Sequence, residues 1–257
     1  MLRREIYRFC QRYIKRYEGF SYDFETNGER LLVDNLSRFN FDTVFDVGAN
    51  VGSWTRMASE RFPGATIHSF ELSGSTYEHL CANLADIPSA KLNNIGLSDS
   101  EEVLTYKDYG VDSGVNTILV DANYHDRKVK PELREGRVST GDNYCAQHDI
   151  ERIDFLKIDV EGAESLVLAG FESMLGKSAV RLVQFEYGYT NGDAHFLMKD
   201  FYKFFGRFGY VVGVLKPGGA RFTDFSYKLN DFSSGPNFVA IHGSDLELRS
   251  AIKDPGS

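Results

Sequence analysis

The segment Val44–Trp54 constrains the fold of this chain more than any other. Its sequence is an apolar run ending near Asp46, a turn containing two glycines, and a helical pattern that starts at Ser53. This order predicts a buried strand, a tight turn and a helix N-terminus. Backbone N–H groups and the positive end of the helix would then face a ligand. Gly48 and Gly52 permit unusual backbone angles and close ligand approach, because they carry no Cβ.

The rest of the chain repeats this strand–helix alternation, which indicates an α/β fold. We expect a mostly parallel, Rossmann-like sheet with helices on both faces. The predicted strands are Val44–Asp46, Thr66–Glu71, Leu92–Leu97, Val103–Tyr106, Thr117–Val120, Ile153–Asp159, Val180–Glu186, Tyr210–Leu215 and Phe238–Ile241. The predicted helices are Leu2–Tyr17, Asn27–Phe39, Ser53–Phe62, Ser75–Leu84, Ala163–Ala169 and Ala194–Phe208.

The alternation also suggests how the chain is divided. We expect an N-terminal helical extension at residues 1–40 and a main domain at 41–243. Within the main domain, residues 100–140 interrupt the pattern, and Asn123–Arg137 is charged and irregular. Loops carried by a rigid sheet often hold substrate groups, so this insertion is expected to contact the substrate. Residues 244–257 are expected to be a polar, frayed tail.

The turn after the first strand indicates which ligand the site takes. A dinucleotide fingerprint would have glycines where this chain has Asn50 and Ser53, and no Lys-Ser/Thr closes a phosphate-binding loop. The second strand ends in Glu71, an acid placed to hold two ribose hydroxyls. An acid that can bind the ribose, beside a turn that lacks the residues for binding phosphates, indicates a nucleoside ligand without a diphosphate. S-adenosylmethionine fits that description, whereas a nicotinamide-dependent oxidoreductase is disfavoured.

Strand ends supply a physical argument for a single site. In open α/β sheets, ligands bind beyond the carboxyl ends of the strands. Residues at the ends of predicted strands should therefore converge, although they lie far apart in the sequence. They are Asp46, Glu71, Leu97, Asp159 and Glu186.

Several motifs, in this order, resemble the FkbM family of class I S-adenosylmethionine-dependent methyltransferases. Besides the first turn, they are Phe70-Glu71, Asn83, Gly96-Leu97-Ser98-Asp99, Ser113-Gly114-Val115-Asn116 and Lys157-Ile158-Asp159-Val160-Glu161-Gly162-Ala163-Glu164. The likeness spans roughly Asn27 to His242. It implies an antiparallel C-terminal hairpin, a methyltransferase activity directed mostly at hydroxyl groups, and S-adenosylhomocysteine as the product.

The resemblance also implies roles at the cofactor. Asp46 would order the first loop or reach the methionine amino group, and Asn50 would bind its carboxylate or simply adopt a left-handed turn. Glu71 would bind the ribose, and Asp99 the adenine amino group, with Asp99 as a turn-opening residue the alternative. The further cofactor residues are Gly48, Gly52, Ser53, Trp54, Leu72, Leu97, Ser98 and Asp159.

Transfer to a hydroxyl group calls for a base or a metal ion, because the hydroxyl must lose its proton. Asp159 is the first candidate base and Glu186 the second, with Lys157 beside them. His195 is a third, although it is favoured instead to cap a helix or face solvent. Asp159 and Glu186 could alternatively share a Mg²⁺ ion.

The acceptor contacts are expected mainly from the loop in the insertion. Ser113, Asn116 and Thr117 belong to a family motif, so the resemblance places them at the acceptor, the alternative being a polar hairpin loop. Glu161 is a further candidate, although it could instead be an acid favoured at the start of the following helix.

The composition of the chain limits which partners and which cellular location are expected. The net charge of −8 disfavours general nucleic-acid binding. Three widely spaced cysteines form no zinc or disulfide pattern, and no signal peptide or membrane-spanning run is evident, so a cytoplasmic location is expected. Homo-oligomers are possible. The basic segment Leu2–Tyr17 is expected to pack on the domain, with attachment to an anionic membrane or a glycan-assembly complex as the alternative.

Three functions remain open at this point. The leading one is O-methylation of a sugar hydroxyl in a surface glycan or nucleotide sugar. O-methylation of a polyketide or another natural product is the alternative within the same class. A non-catalytic, cofactor-binding module is the alternative from another class.

Overall fold

The computed structural model of the chain describes residues 2–111, 114, 116–119, 130–232 and 234–256. Within them, the strands are β1 Thr43–Val47, β2 Thr66–Phe70, β3 Ala90–Asn93, β4 Gly96–Leu97, β5 Glu102–Asp108, β6 Glu132–Ser139, β7 Ile153–Ile158, β8 Val180–Glu186, β9 Tyr210–Lys216, β10 Gly219–Phe222 and β11 Asn237–His242. The α-helices are α1 Leu2–Tyr17, α2 Glu29–Leu36, α3 Ser53–Arg61, α4 Gly74–Asn83, α5 Gly141–Gln147, α6 Glu164–Ala169, α7 Glu172–Gly176, α8 Tyr189–Asp193, α9 Met198–Arg207 and α10 Leu246–Ile252.

The main sheet has the strand order β10-β9-β11-β8-β7-β1-β2-β3. Its half from β3 to β8 is parallel. The last three strands run antiparallel to their neighbours. The predicted fold, a mostly parallel Rossmann-like sheet with an antiparallel C-terminal hairpin, is therefore confirmed.

Helices cover both faces of this sheet, as predicted. On one face, Leu32 of α2, Met57 of α3 and Leu248 of α10 pack in one buried cluster. On the other face, Val167 of α6 and Phe201 of α9 belong to a second buried cluster. Each fully buried apolar side chain of this size stabilises the fold by about 1.5–3 kcal/mol. The two clusters hold the sheet rigid, so that its carboxyl edge can carry a site.

The insertion is more regular than the sequence suggests. We expected an irregular segment over Asn123–Arg137, but Glu132–Ser139 forms β6, which pairs antiparallel with β5 from Glu102↔Val138 to Asp108↔Glu132. β5 contains the predicted strand Val103–Tyr106, whereas β6 is largely exposed, so no apolar alternation marks it in the sequence. Residues 120–129 lie outside the described residues. The predicted strand Thr117–Val120 is represented by a single bridge from Thr117 to Lys107.

Two further predicted elements are divided in the structure. Instead of one strand over Leu92–Leu97, β3 belongs to the main sheet, and β4 joins β6 and β5 in a small second sheet. Instead of one helix over Ala194–Phe208, α8 and α9 flank His195, whose φ of 54° is left-handed and ends helical geometry there.

The two ends of the chain also differ from expectation. The polar tail contains α10, where Asp245 accepts a hydrogen bond from the Leu248 N–H at 3.1 Å and Leu248 and Ile252 are buried. At the other end, α1 has no buried residue, so it does not pack on the domain as expected. No helix among the described residues is both long and apolar enough to cross a membrane.

Candidate functional site

A cavity of about 690 Å³ opens at the carboxyl ends of β1, β2, β7 and β8. Ten of the residues predicted from the sequence line it. They are Gly48, Asn50, Glu71, Leu72, Leu97, Asn116, Thr117, Asp159, Glu161 and Glu186. Of the five strand-end residues expected to converge, Glu71, Leu97, Asp159 and Glu186 line this cavity, and Asp46 does not.

The loop after β1 is shaped by its backbone. The N–H groups of Gly48 and Ala49 both donate to the Phe70 carbonyl, at 3.0 and 2.9 Å, which ties the loop to the end of β2. Gly48 has φ of 82°, and a Cβ there would lie 1.8 Å from the Asp159 carbonyl oxygen. Only glycine fits at this close approach of the β1 and β7 ends. Asn50 lines the cavity with a left-handed φ of 49°.

Glu71 stands at the end of β2 with both carboxylate oxygens held. Oε2 accepts from the Asn50 N–H at 3.0 Å and Oε1 from the Ser73 N–H at 2.9 Å. Burial raises the pKa of Glu71 to about 7, although the two backbone hydrogen bonds oppose this. Each oxygen keeps a second lone pair, so the ionised group can still accept hydrogen bonds from two hydroxyls.

A buried group of charges lies beneath the cavity. Asp46 is fully buried, accepts from Thr55 Oγ1 at 2.7 Å, and is paired with Lys157 Nζ at 3.2 Å. Lys157 also pairs with Asp159 at 3.3 Å. Burial lowers the pKa of Lys157, but Asp46 and Asp159 raise it more, so it is held above its ordinary value. Neither Asp46 nor Lys157 lines the cavity. Both residues therefore support the loop after β1 and Asp159 from beneath the cavity.

Three carboxylates meet on the cavity wall. One oxygen each of Asp159, Glu161 and Glu186 lies within 4.8 Å of the others. Burial raises the pKa of Glu186 well above its ordinary value, and the Asp159 charge raises it further. Burial alone would raise the pKa of Asp159, but Lys157 and the hydrogen bond with Glu186 lower it. The shared environment therefore shifts the two pKa values apart, with the pKa of Glu186 raised and that of Asp159 lowered. The three acids also offer the oxygen ligands that Mg²⁺ prefers.

The loop after β7 is held by a different acid from the one predicted. Glu164 Oε1 accepts from the Val160 and Gly162 N–H groups at 3.2 and 3.1 Å, and Glu164 Oε2 accepts from Asn191 Nδ2 at 2.7 Å. The residue that precedes α6 is Ala163, so Glu161 is not its cap. Glu161 has a left-handed φ of 55° and lines the cavity instead.

The insertion contacts the same loop. Thr117 Oγ1 donates to the Glu161 carbonyl at 2.9 Å, and Asn116 Oδ1 accepts from the Tyr109 N–H at 2.8 Å. Both side chains reach the cavity wall. Ser113, the third predicted acceptor residue, lies outside the described residues.

Other predicted site residues lie off the cavity wall. Gly52 has φ of 91°, and a Cβ there would meet the Leu80 and Leu84 side chains, so it serves helix packing. Trp54 is buried, with its ring 5.3 Å from that of Phe155. The remaining four are Ser53, Ser98, Asp99 and His195, of which Ser98 is buried and the others are exposed.

A buried polar cluster of four residues, three of which line the cavity, was missed from the sequence. Asn27, Glu29, Gln184 and Asn237 form it. Glu29 accepts from Asn27 Nδ2 at 2.6 Å, Gln184 Nε2 at 2.6 Å and Asn237 Nδ2 at 3.0 Å. Burial raises the pKa of Glu29. The Asn-Gly-Glu run before α2 was the available signal, since Gly28 has φ of 104° and a Cβ there would meet the Lys216 carbonyl.

The composition of the wall fits the parts of S-adenosylmethionine. Glu71 is suited to the ribose, and Leu72, Leu97 and Val138 offer an apolar surface to adenine. The five acids on the wall are Glu29, Glu71, Asp159, Glu161 and Glu186. Among the described lining residues, none is Lys, Arg or His. Such a wall favours a ligand carrying a sulfonium and an ammonium group over one carrying phosphates.

Comparison with known proteins supports this assignment. Residues 46–212 match the family described as "Methyltransferase FkbM domain". The 31-O-demethyl-FK506 methyltransferase FkbM of Streptomyces tacrolimicus is 30% identical over 155 residues, which cover 51% of this chain and 60% of that protein. The 2-O-methyltransferase NoeI of Sinorhizobium fredii is 26% identical over 155 residues, covering 56% and 62%.

The chain also resembles part of a much larger protein. The AMB antimetabolite synthetase AmbE of Pseudomonas aeruginosa is 30% identical over 251 residues, which cover 83% of this chain and 11% of that protein. The chain thus spans less than two thirds of the length of these curated relatives. Among solved structures, the O-methyltransferase TomG of Streptomyces achromogenes aligns with a TM-score of 0.44 at 10% identity, over 83% of this chain and 78% of that one.

The family match covers well over half of the chain, and it includes the loop after β1, Glu71 and the acids that follow β7 and end β8. This chain therefore belongs to the FkbM family of S-adenosylmethionine-dependent methyltransferases.

Proposed function

We propose that this chain is an O-methyltransferase that transfers the methyl group of S-adenosylmethionine to a hydroxyl group. The observation that carries the proposal is the position of Asp159 and Glu186, whose carboxylate oxygens lie within 4.8 Å of each other on the same cavity wall as Glu71. The same cavity thus offers an acid suited to a ribose and a proton acceptor. An oxygen nucleophile needs such an acceptor, because it loses a proton as it attacks.

When bound, S-adenosylmethionine supplies an electrophilic methyl group whose leaving group needs no activation. The protein must then hold the acceptor hydroxyl in line with that methyl group. Asp159 accepts the hydroxyl proton, since Lys157 keeps it ionised. Glu186, whose pKa burial raises, lies with a carboxylate oxygen within 4.8 Å of that of Asp159 and would orient the Asp159 carboxylate when it carries a proton. Asn116, on the loop anchored by Thr117, contributes to the acceptor side of the cavity.

A second arrangement uses a metal ion at the same place. The oxygens of Asp159, Glu161 and Glu186 lie close enough together to bind one divalent cation. Bound Mg²⁺ would lower the pKa of the hydroxyl instead of taking its proton. Lys157 weighs against this arrangement, because it already places a positive charge 3.3 Å from an Asp159 oxygen.

The charge of the cavity supports an uncharged acceptor. Five acids line it and none of its described lining residues is Lys, Arg or His, although Lys157 pairs with Asp159 from beneath the wall. A nucleotide sugar would bring a diphosphate that such a wall repels. We therefore favour a sugar hydroxyl of a glycan, with a hydroxyl of a polyketide or similar natural product as the alternative. The names of the relatives, a 2-O-methyltransferase and an FK506 methyltransferase, are compatible with either.

The cellular setting forms part of this proposal. Cys10, Cys81 and Cys145 are free thiols, which suits a cytoplasmic location. The net charge of −8 supports the prediction of no nucleic-acid partner. The possibility of a homo-oligomer stays a prediction.

Two measurements test the proposal. Calorimetric titration with S-adenosylmethionine and S-adenosylhomocysteine should show binding of both to the full chain. Methyl transfer from labelled cofactor should then be measured for neutral oligosaccharides, nucleotide sugars and hydroxylated macrolides. We expect transfer to a neutral hydroxyl acceptor, and its loss in Asp159→Asn with cofactor binding retained. Tight cofactor binding without transfer to any acceptor would support the non-catalytic binding module instead.

A further inference from the structure

Helix α1 is an element that the methyltransferase site does not use. None of its 16 residues is buried. Its apolar side chains are largely exposed, including Phe9 at 63%, Tyr13 at 62% and Tyr17 at 79%. An isolated helix of this length is marginal in water and normally gains its stability by packing its apolar face. Within the described part of the chain, nothing buries that face.

The residues of α1 are sorted into two faces. At 100° per residue, Leu2, Ile6, Phe9 and Tyr13 fall on one side together with Tyr17. Arg4, Arg8, Arg12 and Lys15 lie on the opposite side, which also carries Tyr7, whereas Arg16 lies beside Phe9 at the edge of the apolar face. The helix is therefore amphipathic, with an aromatic-rich apolar face and a basic polar face. Its apolar face is stronger than expected for so short a segment.

The charge of α1 is opposite to that of the remaining chain. The helix has six basic residues and one acidic residue, a net charge of +5. The remaining residues include 23 basic and 36 acidic residues, a net charge of −13. An anionic surface would be repelled by the body and attracted by the helix.

The helix is connected to the body at its C-terminal end. Lys216 Nζ donates to the Glu18 carbonyl at 2.7 Å and pairs with the Glu18 carboxylate at 2.9 Å. Gly19 follows with φ of 63°, and a Cβ there would meet the Pro217 ring. The chain leaves the helix through this contact and reaches the cavity wall at Tyr22. These contacts fix the end of the helix and leave both of its faces accessible.

We propose that α1 binds the surface of an anionic lipid membrane. A helix with a basic face and an aromatic apolar face lies in the plane of the interface, where the rings enter the acyl boundary and the cations meet the headgroups. Long Arg and Lys side chains can reach those headgroups while their stems lie along the apolar face. The membrane thus satisfies both faces at once.

Each of the other candidate binding partners would interact favourably with only one face of α1. An acidic protein surface, including the body of a second copy, would neutralise the basic face and leave the rings in water. An apolar protein groove would cover the rings without neutralising five net positive charges. Charge and apolar area together therefore favour lipid over protein.

Vesicle co-sedimentation with the full chain tests the proposal. We expect binding to vesicles of phosphatidylglycerol and phosphatidylcholine, at least tenfold weaker binding to phosphatidylcholine alone, and weakening by salt. Two double variants separate the faces. Arg8→Glu with Arg12→Glu should reduce binding to anionic vesicles by about a hundredfold or more, because four charge units are reversed. Phe9→Ser with Tyr13→Ser should reduce binding to both kinds of vesicle.

The control experiments use the fact that the residues of α1 are exposed, so that they can be substituted without disturbing the fold. Lys177→Glu with Lys203→Glu makes the same charge change on exposed residues of the body, and should leave vesicle binding close to that of the wild type. All variants should keep the wild-type melting temperature and S-adenosylmethionine affinity, since the mutated residues support neither core nor cavity. No binding of the wild type, equal binding by the Arg8→Glu, Arg12→Glu variant, or self-association that the Phe9→Ser, Tyr13→Ser variant abolishes would overturn the proposal.

Discussion

The side-chain amide of Gln184 donates a hydrogen bond to Glu29 over 2.6 Å, although the two residues are 155 positions apart in the chain. This bond joins the start of α2 to β8, two residues before the cavity residue Glu186. Asn237, on the neighbouring strand β11, donates to the same carboxylate. The segment before the first strand is thus built into the cavity wall rather than appended to the domain.

Glu29→Gln should weaken both the fold and cofactor binding. Glu29 accepts three hydrogen bonds from amide groups, and a glutamine would turn its own N–H₂ group toward one of those donors. An unsatisfied buried polar group costs about 1–3 kcal/mol, which urea unfolding would detect. Glu25→Gln is the matched control, since Glu25 is exposed and bonded only to Arg30 at the surface, so it should unfold like the wild type. Equal unfolding of the two variants would contradict this role for Glu29.

The same cluster shows where sequence reasoning stops. The loop after β1, Glu71 and Asp159 could be predicted because each follows a short apolar strand, and strand ends converge at one edge of the sheet. Glu29 and Gln184 could not, because their partnership depends on how α2 packs against β8. A polar residue inside a helix or strand gives no sign in the sequence of whether it faces solvent or a cavity.

A position in a motif does not by itself place a residue at the cavity. Asp99 follows the motif that the resemblance assigns to adenine, yet its side chain is exposed and accepts a hydrogen bond from Ser98 Oγ at 3.2 Å. The chain turns away from the main sheet after β3, so Ser98 and Asp99 lie off the cavity wall. A pattern that fixes the order of residues does not fix where such a turn occurs.

Gly48→Ala should abolish cofactor binding and destabilise the fold. An alanine Cβ would lie 1.8 Å from the Asp159 carbonyl oxygen, and the left-handed backbone alone costs about 1–2 kcal/mol. Relief of the clash would separate the ends of β1 and β7 and so displace Asp159. Gly64→Ala is the control, because its φ is unexceptional and a Cβ there would have no other atom within 4 Å. A melting temperature of Gly48→Ala as high as that of Gly64→Ala would be incompatible with this close approach.

Cofactor affinity should depend on pH through Glu71. Its pKa is raised by burial from 4.5 to about 7, so the folded, unliganded protein retains this proton over a range in which the unfolded chain has lost it. That proton therefore stabilises the fold at low pH, and the contribution falls as pH rises from about 4.5 to 7. The ionised form binds ribose hydroxyls better, so affinity should rise as pH approaches 7 and level off above it.

Calorimetric titration between pH 5.5 and 8.5 measures this dependence. If only the ionised form of Glu71 binds the cofactor, cofactor affinity should fall by up to about tenfold for each pH unit below 7. Glu71→Gln should bind more weakly at pH 8 and lose most of the slope. A slope that remains is assigned to the other acids whose pKa burial raises, Glu29, Glu164 and Glu186. An unaltered slope in Glu71→Gln would show that Glu71 does not contact the cofactor.

Substitutions of Asp159, Glu161 and Glu186, together with EDTA treatment, should distinguish base catalysis from metal catalysis. If Asp159 takes the hydroxyl proton, Asp159→Asn should lower kcat by about 10²–10⁴-fold, as removal of a general base does. Glu186→Gln should lower kcat less, because its amide can still donate to Asp159.

We expect the wild-type rate to be unaffected by EDTA, since Lys157 already supplies the neighbouring cation. Glu161→Gln should then retain most activity, whereas Glu151→Gln, on the exposed surface, should retain all of it. A rate that EDTA abolishes and Mg²⁺ restores, together with a large loss in Glu161→Gln, would instead assign the three carboxylates to a metal ion.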